Sequence, residues 1–455
     1  MNVRVLREVS LGGKVSLSSW YGADIRRLLA LFLILLLLGG TVSASEQDAN
    51  RITGELLDRH LPFGIIMDPI FEAPDSMQIH TYTRCGDSAI WTGFYLASEA
   101  YRYAVTKSPE AMNNAWRALT GIRRLMYVTG TSVLARCAFP VTWEHAADLI
   151  IQEQHNGIYQ GNYNSEAYYW VGNTSRDQYL GVFFGLVTAF DMIGDPNMNA
   201  TIADITWKLL DNLEQNGWTP RMPDGSHSTS FTLRPDQHLN LMAIGRHILP
   251  ERFGSDYSSY ATFHFFEVPA PIALEVLDVI NSYFKFNLDT IALVNLIRLE
   301  NNPTRRAVYQ KAYDILRNTT DGHQNAFFNM MDYVLAGPNA QRDQDTVTFL
   351  ELWLKRPRRD FRVDLRQPQY ADRVQVCLDY ACAPIPVDLR VPTDFLWQRN
   401  PFQLSGGGDG FIESAGIDYL LPYWMARYYG ILGPDPPPRS GANGEPGGRR
   451  AIPKR

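Results

Sequence analysis

The chain has 455 residues, 45% hydrophobic and 20% charged, which excludes general disorder and leaves room for a large core. The first 44 residues and the tail after Gly430 each carry a net +3, so the formal −6 of the whole leaves −12 for the body between them. A body this acidic, without a basic patch, excludes nucleic acid and anionic lipid as general partners.

After 25 residues the chain carries Arg26-Arg27, an apolar run from Leu28 to Leu38, Gly39-Gly40, and small residues through Val42-Ser43-Ala44. A positive flank, a short apolar stretch and small residues before a cut form a secretory signal peptide over residues 1–44. The run is short for a bilayer span, and no other segment is apolar enough, so the mature chain is expected to have none. An uncleaved anchor is the alternative, because the charged region before the run is long. The expected location is secreted or periplasmic. Export gives the even number of cysteines a meaning, with Cys85 pairing Cys137 and Cys377 pairing Cys382. Four buried thiols are the other reading.

From residue 45 to 432 the sequence reads as a domain of helical hairpins. Ser108-Pro109, Asp195-Pro196 and Asn302-Pro303 each set a capping side chain before a proline, which is a helix N-cap followed by its first residue. Each helix then runs for about five turns to Thr129-Gly130, Asn216-Gly217 or Asp321-Gly322. The stripe Met112, Trp116, Leu119, Ile122 and Met126 marks the first as amphipathic, and Ile202, Ile205, Leu209 and Leu213 mark the second. A more apolar helix precedes each one, over 88–105, 178–193 and 290–299, and is expected to be buried on most sides. Further buried helices are expected near Asp236, His323 and Asp418. Outer helices are expected over 271–284 and 343–354, and a helix over 50–59 would close a ring. The fold expected is all-α, an (α/α)6 toroid of hairpins, with irregular insertions over 131–176, 217–235, 250–269 and 356–417 forming a lid. Within them 373–380 reads as a strand. Residues 433–455, rich in proline and glycine, read as a disordered tail.

In such a ring the N-terminal ends of the inner helices open on one cavity. Asp87, Asp177, Asp236 and Asp418 stand at such starts. Asp87 is followed by Trp91, Gly93 and Tyr95, while Asp177 is preceded by Trp170 and Arg176 and followed by Gln178, Tyr179 and Gly181. Glycine one to two turns on permits close approach. Two carboxylates in one cleft can split a glycosidic bond, one protonating the leaving oxygen and the other activating water or attacking the sugar. Asp87 and Asp177 are thus the expected catalytic pair. Trp91, Tyr95, Trp170 and Tyr179 are expected to form a sugar platform, joined by Arg176 and Gln178. Trp143-Glu144-His145, Glu166, Trp397-Gln398-Arg399 and Glu413 lie in the insertions as further candidates. The histidines form no metal motif, and neither a P-loop nor a nucleophile elbow is present, so neither a metal nor a cofactor is expected.

The hairpin count and the segment from Arg176 to Gly181, running on to Gly185-Leu186, resemble the six-hairpin (α/α)6 glycosidase superfamily. The nearest similarity is to its unsaturated glucuronyl hydrolases, which carry an Arg-Gly-Gln-aromatic stretch at an inner helix; here Asp177 stands in place of that glycine. The resemblance implies a toroid and a glycan-facing cavity; it is the carboxylate pair that makes a glycoside hydrolase, acting on carbohydrate or another small polar ligand, the expected function. The alternatives are an exported glycan- or peptide-binding protein without activity, and a lyase or epimerase on the same fold.

Overall fold

The computed structural model describes residues 44–392, 395 and 397–435. The expected signal peptide, up to its last residue, and the tail beyond Asp435 lie outside the described residues. Asp435 itself accepts hydrogen bonds at 2.8 and 3.0 Å from the backbone N–H of Glu46.

The punctuation read from the sequence operates as expected. Ser108 accepts from the N–H groups of Glu110 and Ala111, Asp195 from Met198, and Asn302 from Thr304 and Arg305. These caps start the outer helices α3 (Pro109–Tyr127), α6 (Pro196–Gln215) and α11 (Pro303–Thr320). Before each lies a helix buried along most of its length: α2 (Ser88–Thr106), α5 (Arg176–Ile193) and α10 (Val279–Leu299). The remaining buried helices are α7 (Pro235–Ile248), α12 (Ala326–Ala336) and α14 (Ile417–Tyr428). Their outer companions are α8 (Pro250–His264), α13 (Ala340–Trp353) and α1 (Glu46–Arg59). Two shorter helices, α4 (Ala146–Glu153) and α9 (Pro269–Glu275), lie in the connections.

The buried helices touch one another in cyclic order: α2 meets α5, α5 meets α7, α7 meets α10, α10 meets α12, α12 meets α14, and α14 returns to α2. α10 also reaches across to α5. Each outer helix lies against its own hairpin partner, and α1 lies against α14. One hydrophobic core runs through all of them.

The chain is mostly helical, but it is not all-α. Strands β1 (Asp68–Phe71), β2 (Ile79–Thr83), β6 (Arg359–Asp364) and β9 (Ser405–Glu413) form an antiparallel sheet in the order β2-β1-β9-β6. Strands β3 (Cys137–Pro140), β4 (Ile158–Tyr163) and β5 (Glu166–Val171) form a second, with β5 central. The strand expected over 373–380 is instead the small hairpin β7 (Val376–Cys377) and β8 (Tyr380–Ala381), which covers a separate apolar cluster around Leu365 and Ile385. Both expected cysteine pairings are present: Cys85–Cys137 ties the start of α2 to β3, and Cys377–Cys382 closes the small hairpin. Among the described residues no helix is long and apolar enough to cross a membrane.

Two assignments are corrected. Residues 250–269 hold the outer helix α8 rather than an irregular insertion. Its start lacks the expected cap because Leu249 precedes Pro250 and offers no side-chain acceptor. The outer helix expected over 271–284 is not formed. Pro271 falls in the first turn of α9, and α10 begins at Val279, eleven residues before the apolar run. The first half of α10 carries Asn281, Ser282, Lys285, Asn287 and Asp289, which hid its helical continuity from a reading based on hydrophobicity.

Candidate functional site at the ends of the buried helices

α2 and α5 cross with their backbones almost in contact. A Cβ on Gly93 would lie 2.0 Å from the Gly181 carbonyl oxygen, and one on Gly185 would lie 2.3 Å from that of Gly93. No other residue permits this approach. It brings the helix starts together, and with them two carboxylates ninety positions apart in the chain.

Gln178 joins the two. Its Nε2 donates to Asp87 Oδ1 at 3.2 Å, and its backbone N–H donates to Asp177 Oδ1 at 3.1 Å. The Gln178 Oε1 accepts from the Ile90 N–H at 3.0 Å, serving the first turn of α2 from the neighbouring helix. Asp87 stands at the N-cap of α2 but makes no cap bond with its side chain, which is 40% exposed and 3.8 Å from Arg136 Nη1. Arg136 donates to the carbonyls of Gly86 at 2.9 Å and Asn173 at 2.8 Å, so one guanidinium fixes the loops before both helices. Asp177 also accepts from Ser175 Oγ, and its bond from the Gln178 N–H serves the first turn of α5, so part of its role is capping.

Arg176 carries the polar belt onward. It donates to the Ser230 carbonyl at 3.1 Å, and burial, with Arg234 nearby, lowers its pKa. Arg234 is itself buried and holds three carboxylates: Asp236 at 2.8 and 3.0 Å, Asp289 at 2.6 Å and Glu275 at 2.7 Å. Burial pushes the Asp289 carboxyl well above the usual range, against the pull of Arg234 and helped by Glu275 and Asp236 beside it. Sequence reasoning missed Arg234, Glu275 and Asp289. Only the extension of α10 back to Val279 sets Asp289 opposite the start of α7.

The aromatic residues take other places than expected. Tyr95, Trp170 and Tyr179 are 0%, 1% and 0% exposed, so they are core residues and not a platform open to ligand. Tyr179 accepts from the Leu134 N–H, and Trp170 lies against Tyr159. Trp91 is covered by Phe395, with ring centres 3.3 Å apart, and Trp397 stacks on Phe327 at 4.5 Å. The last insertion therefore sends rings in among the buried helices.

The other candidates are scattered. Trp143 packs against Phe63 and Tyr82, Glu144 is exposed, and Glu166 accepts from Tyr168. Glu413 sits in a sealed ionic network with Arg59 and His60. There His60 and Arg358 hold its pKa far below the usual range despite the upward push of burial. Asp418 is buried 3.8 Å from Arg356. Among the described residues no group of three or more His, Cys, Asp or Glu side chains converges as a metal site would. The chain matches no protein-family model, and no curated protein matches its sequence.

Proposed function

We propose that this chain is an exported (α/α)6 toroid acting on a glycan, with Asp87 and Asp177 as the acid and base of a glycoside hydrolase. The observation that carries the reading is the bridge through Gln178, which couples two carboxylates from different hairpins at one end of the buried helices. The cyclic contacts of those helices support the toroid, and two disulfides fit an oxidising compartment. Asp87, partly exposed beside Arg136, would meet the substrate. Arg176 and Gln178 would orient it, while the buried rings of Tyr95, Trp170 and Tyr179 stiffen the wall behind.

The test is turnover of a panel of neutral and acidic polysaccharides by the secreted protein, followed by Asp87→Asn and Asp177→Asn. Each should lower turnover by about 10²–10⁴-fold, the usual contribution of general acid–base catalysis. Melting temperatures should barely move, because Asn replaces Asp in caps at little cost. Near-normal rates in both variants would remove the pair from the mechanism.

A second reading, a glycan- or peptide-binding protein without turnover, is favoured by the ring of Phe395 lying over Trp91. Saturable binding of a glycan that is never cleaved would establish it.

A further inference from the structure

Away from the belt at the helix ends, the outer face of α3 forms a cleft of about 290 Å³ with the turn at Phe63-Gly64. Gly64 and Gly121 let the turn lie directly on the helix, since a Cβ on Gly121 would come 2.0 Å from the Gly64 carbonyl oxygen. That seating holds Phe63 at φ +57°, a left-handed conformation that bulky residues rarely adopt, with its ring edge-on to Trp143, and Phe63 lines the cleft together with Trp116. Both rings are half-buried. Asn113, Trp116, Arg117, Thr120 and Arg124 line the cleft at helical spacing.

The two arginines distinguish this cleft from the charged surfaces elsewhere. Arg252, Arg317 and Arg342 each have carboxylate partners close by. Among the described residues neither Arg117 nor Arg124 forms an ion pair, and the one acid on α3, Glu110, is taken by Arg102. The Arg124 guanidinium lies 5.1 Å from the Tyr163 ring centre and 5.7 Å from that of Tyr168, an arrangement that fixes its plane. Its Nε and Nη1 are buried, and the guanidinium shares a hydrogen bond with the Tyr168 side chain, which itself donates to Glu166. In a body of net −12, a cleft lined by two cations and no carboxylate is selective for negative charge.

We propose that this cleft binds an acidic sugar, a pyranose ring bearing a carboxylate or sulfate. The Arg117 and Arg124 guanidinium groups take the anion, Trp116 and Phe63 take the apolar face of the ring, and Asn113 and Thr120 meet its hydroxyls. The volume suits one ring, at the lower end of small-ligand pockets. The site uses neither Asp87 nor Asp177.

The experiment is calorimetric titration and saturation-transfer NMR of the full chain with glucuronic acid, glucose 6-sulfate, glucose and inorganic sulfate. At least one acidic sugar should bind saturably, with glucose and inorganic sulfate weaker by about tenfold or more. Arg117→Gln and Arg124→Gln should each weaken the acidic sugar by about tenfold, and raising the salt to about 1 M should weaken it further. Arg117 is exposed, so Arg117→Gln decides the matter if Arg124→Gln fails to fold. Binding should persist in Asp87→Asn and Asp177→Asn, which separates this site from the proposed catalytic pair. Equal binding of glucose, equal binding of inorganic sulfate, unchanged affinity in Arg117→Gln, or no saturable binding of either acidic sugar would each overturn the proposal.

Discussion

The α2–α5 pair and the α7–α10 pair both bring polar groups to the starts of buried helices, by opposite means. Between α2 and α5, glycines bring the backbones into contact, and a neutral amide, Gln178, spans the gap between two carboxylates. Between α7 and α10 there is a buried cation, Arg234, with three acids around it. The first arrangement leaves a carboxylate, Asp87, partly in solvent. The second seals Asp236 and Asp289 completely. Chemistry on a ligand needs the first kind of site, whereas the second serves to lock two helices together.

The sharpest way to break this contrast is to remove the cation. Arg234→Ala should cost about 3–5 kcal/mol, because it strands buried acids rather than deleting a surface pair. Denaturant unfolding measures it. The sign of the pH response follows from Asp289, whose folded pKa is raised. The folded state then binds more protons than the unfolded chain, so acidification favours folding until the pH falls below the unfolded carboxylate value of about 4. The deficit of the variant should therefore shrink between neutral pH and pH 5. A deficit that grows on acidification would show that these acids stay charged and are compensated by other groups.

The glycine contact offers a gentler perturbation with an internal control. Gly93→Ala drives a methyl group into the Gly181 backbone, which cannot swing aside as a side chain would. Overpacking of this kind costs about 1–3 kcal/mol. It should also pull Asp87 from Gln178 and lower whatever activity depends on the pair. Gly254, within α8, has nothing within 4 Å of its added Cβ, so Gly254→Ala should raise stability by about 0.5–1 kcal/mol. Thermal melts of both variants give the two signs side by side.

These contrasts also explain what the sequence could disclose. Caps and prolines act within four residues, so Ser108, Asp195 and Asn302 announced their helices. Leu249-Pro250 did not, because no capping side chain accompanies that proline. Gly93 and Gly181, each a short way after an acid, hinted at a close crossing, and the hint was sound. The partner that makes the crossing useful, Gln178 against Asp87, depends on a contact across 91 positions that no local pattern encodes. Aromatic residues near an acid looked like a platform, yet Tyr95, Trp170 and Tyr179 became core. Periodicity marks a face as apolar without saying whether a neighbour covers it. The arginine cluster was hidden for a related reason. The polar first half of α10 split one buried helix into an expected outer helix over 271–284 and an apolar run from 290, and Arg234 supplies the charge that makes its burial tolerable.

A single helix cap tests whether the two layers are independent. Asp195 Oδ1 accepts from the Met198 N–H at 2.8 Å and starts α6 on the outer layer. α5 separates it from Asp177 by 18 residues of helix, about 27 Å along the axis. Asp195→Ala removes the acceptor and should cost about 0.5–2 kcal/mol, whereas Asp195→Asn, which caps about as well, should be nearly silent. Neither should alter ligand binding or turnover, since nothing in the helix-end belt touches this cap. Melting curves and a binding titration on the two variants separate the outcomes. If Asp195→Ala weakens binding while Asp195→Asn does not, the strain of an uncapped outer helix reaches the far end of the inner layer. The hairpins would then act as one mechanical unit, and the division of labour between the α2–α5 and α7–α10 pairs would have to be redrawn around that coupling.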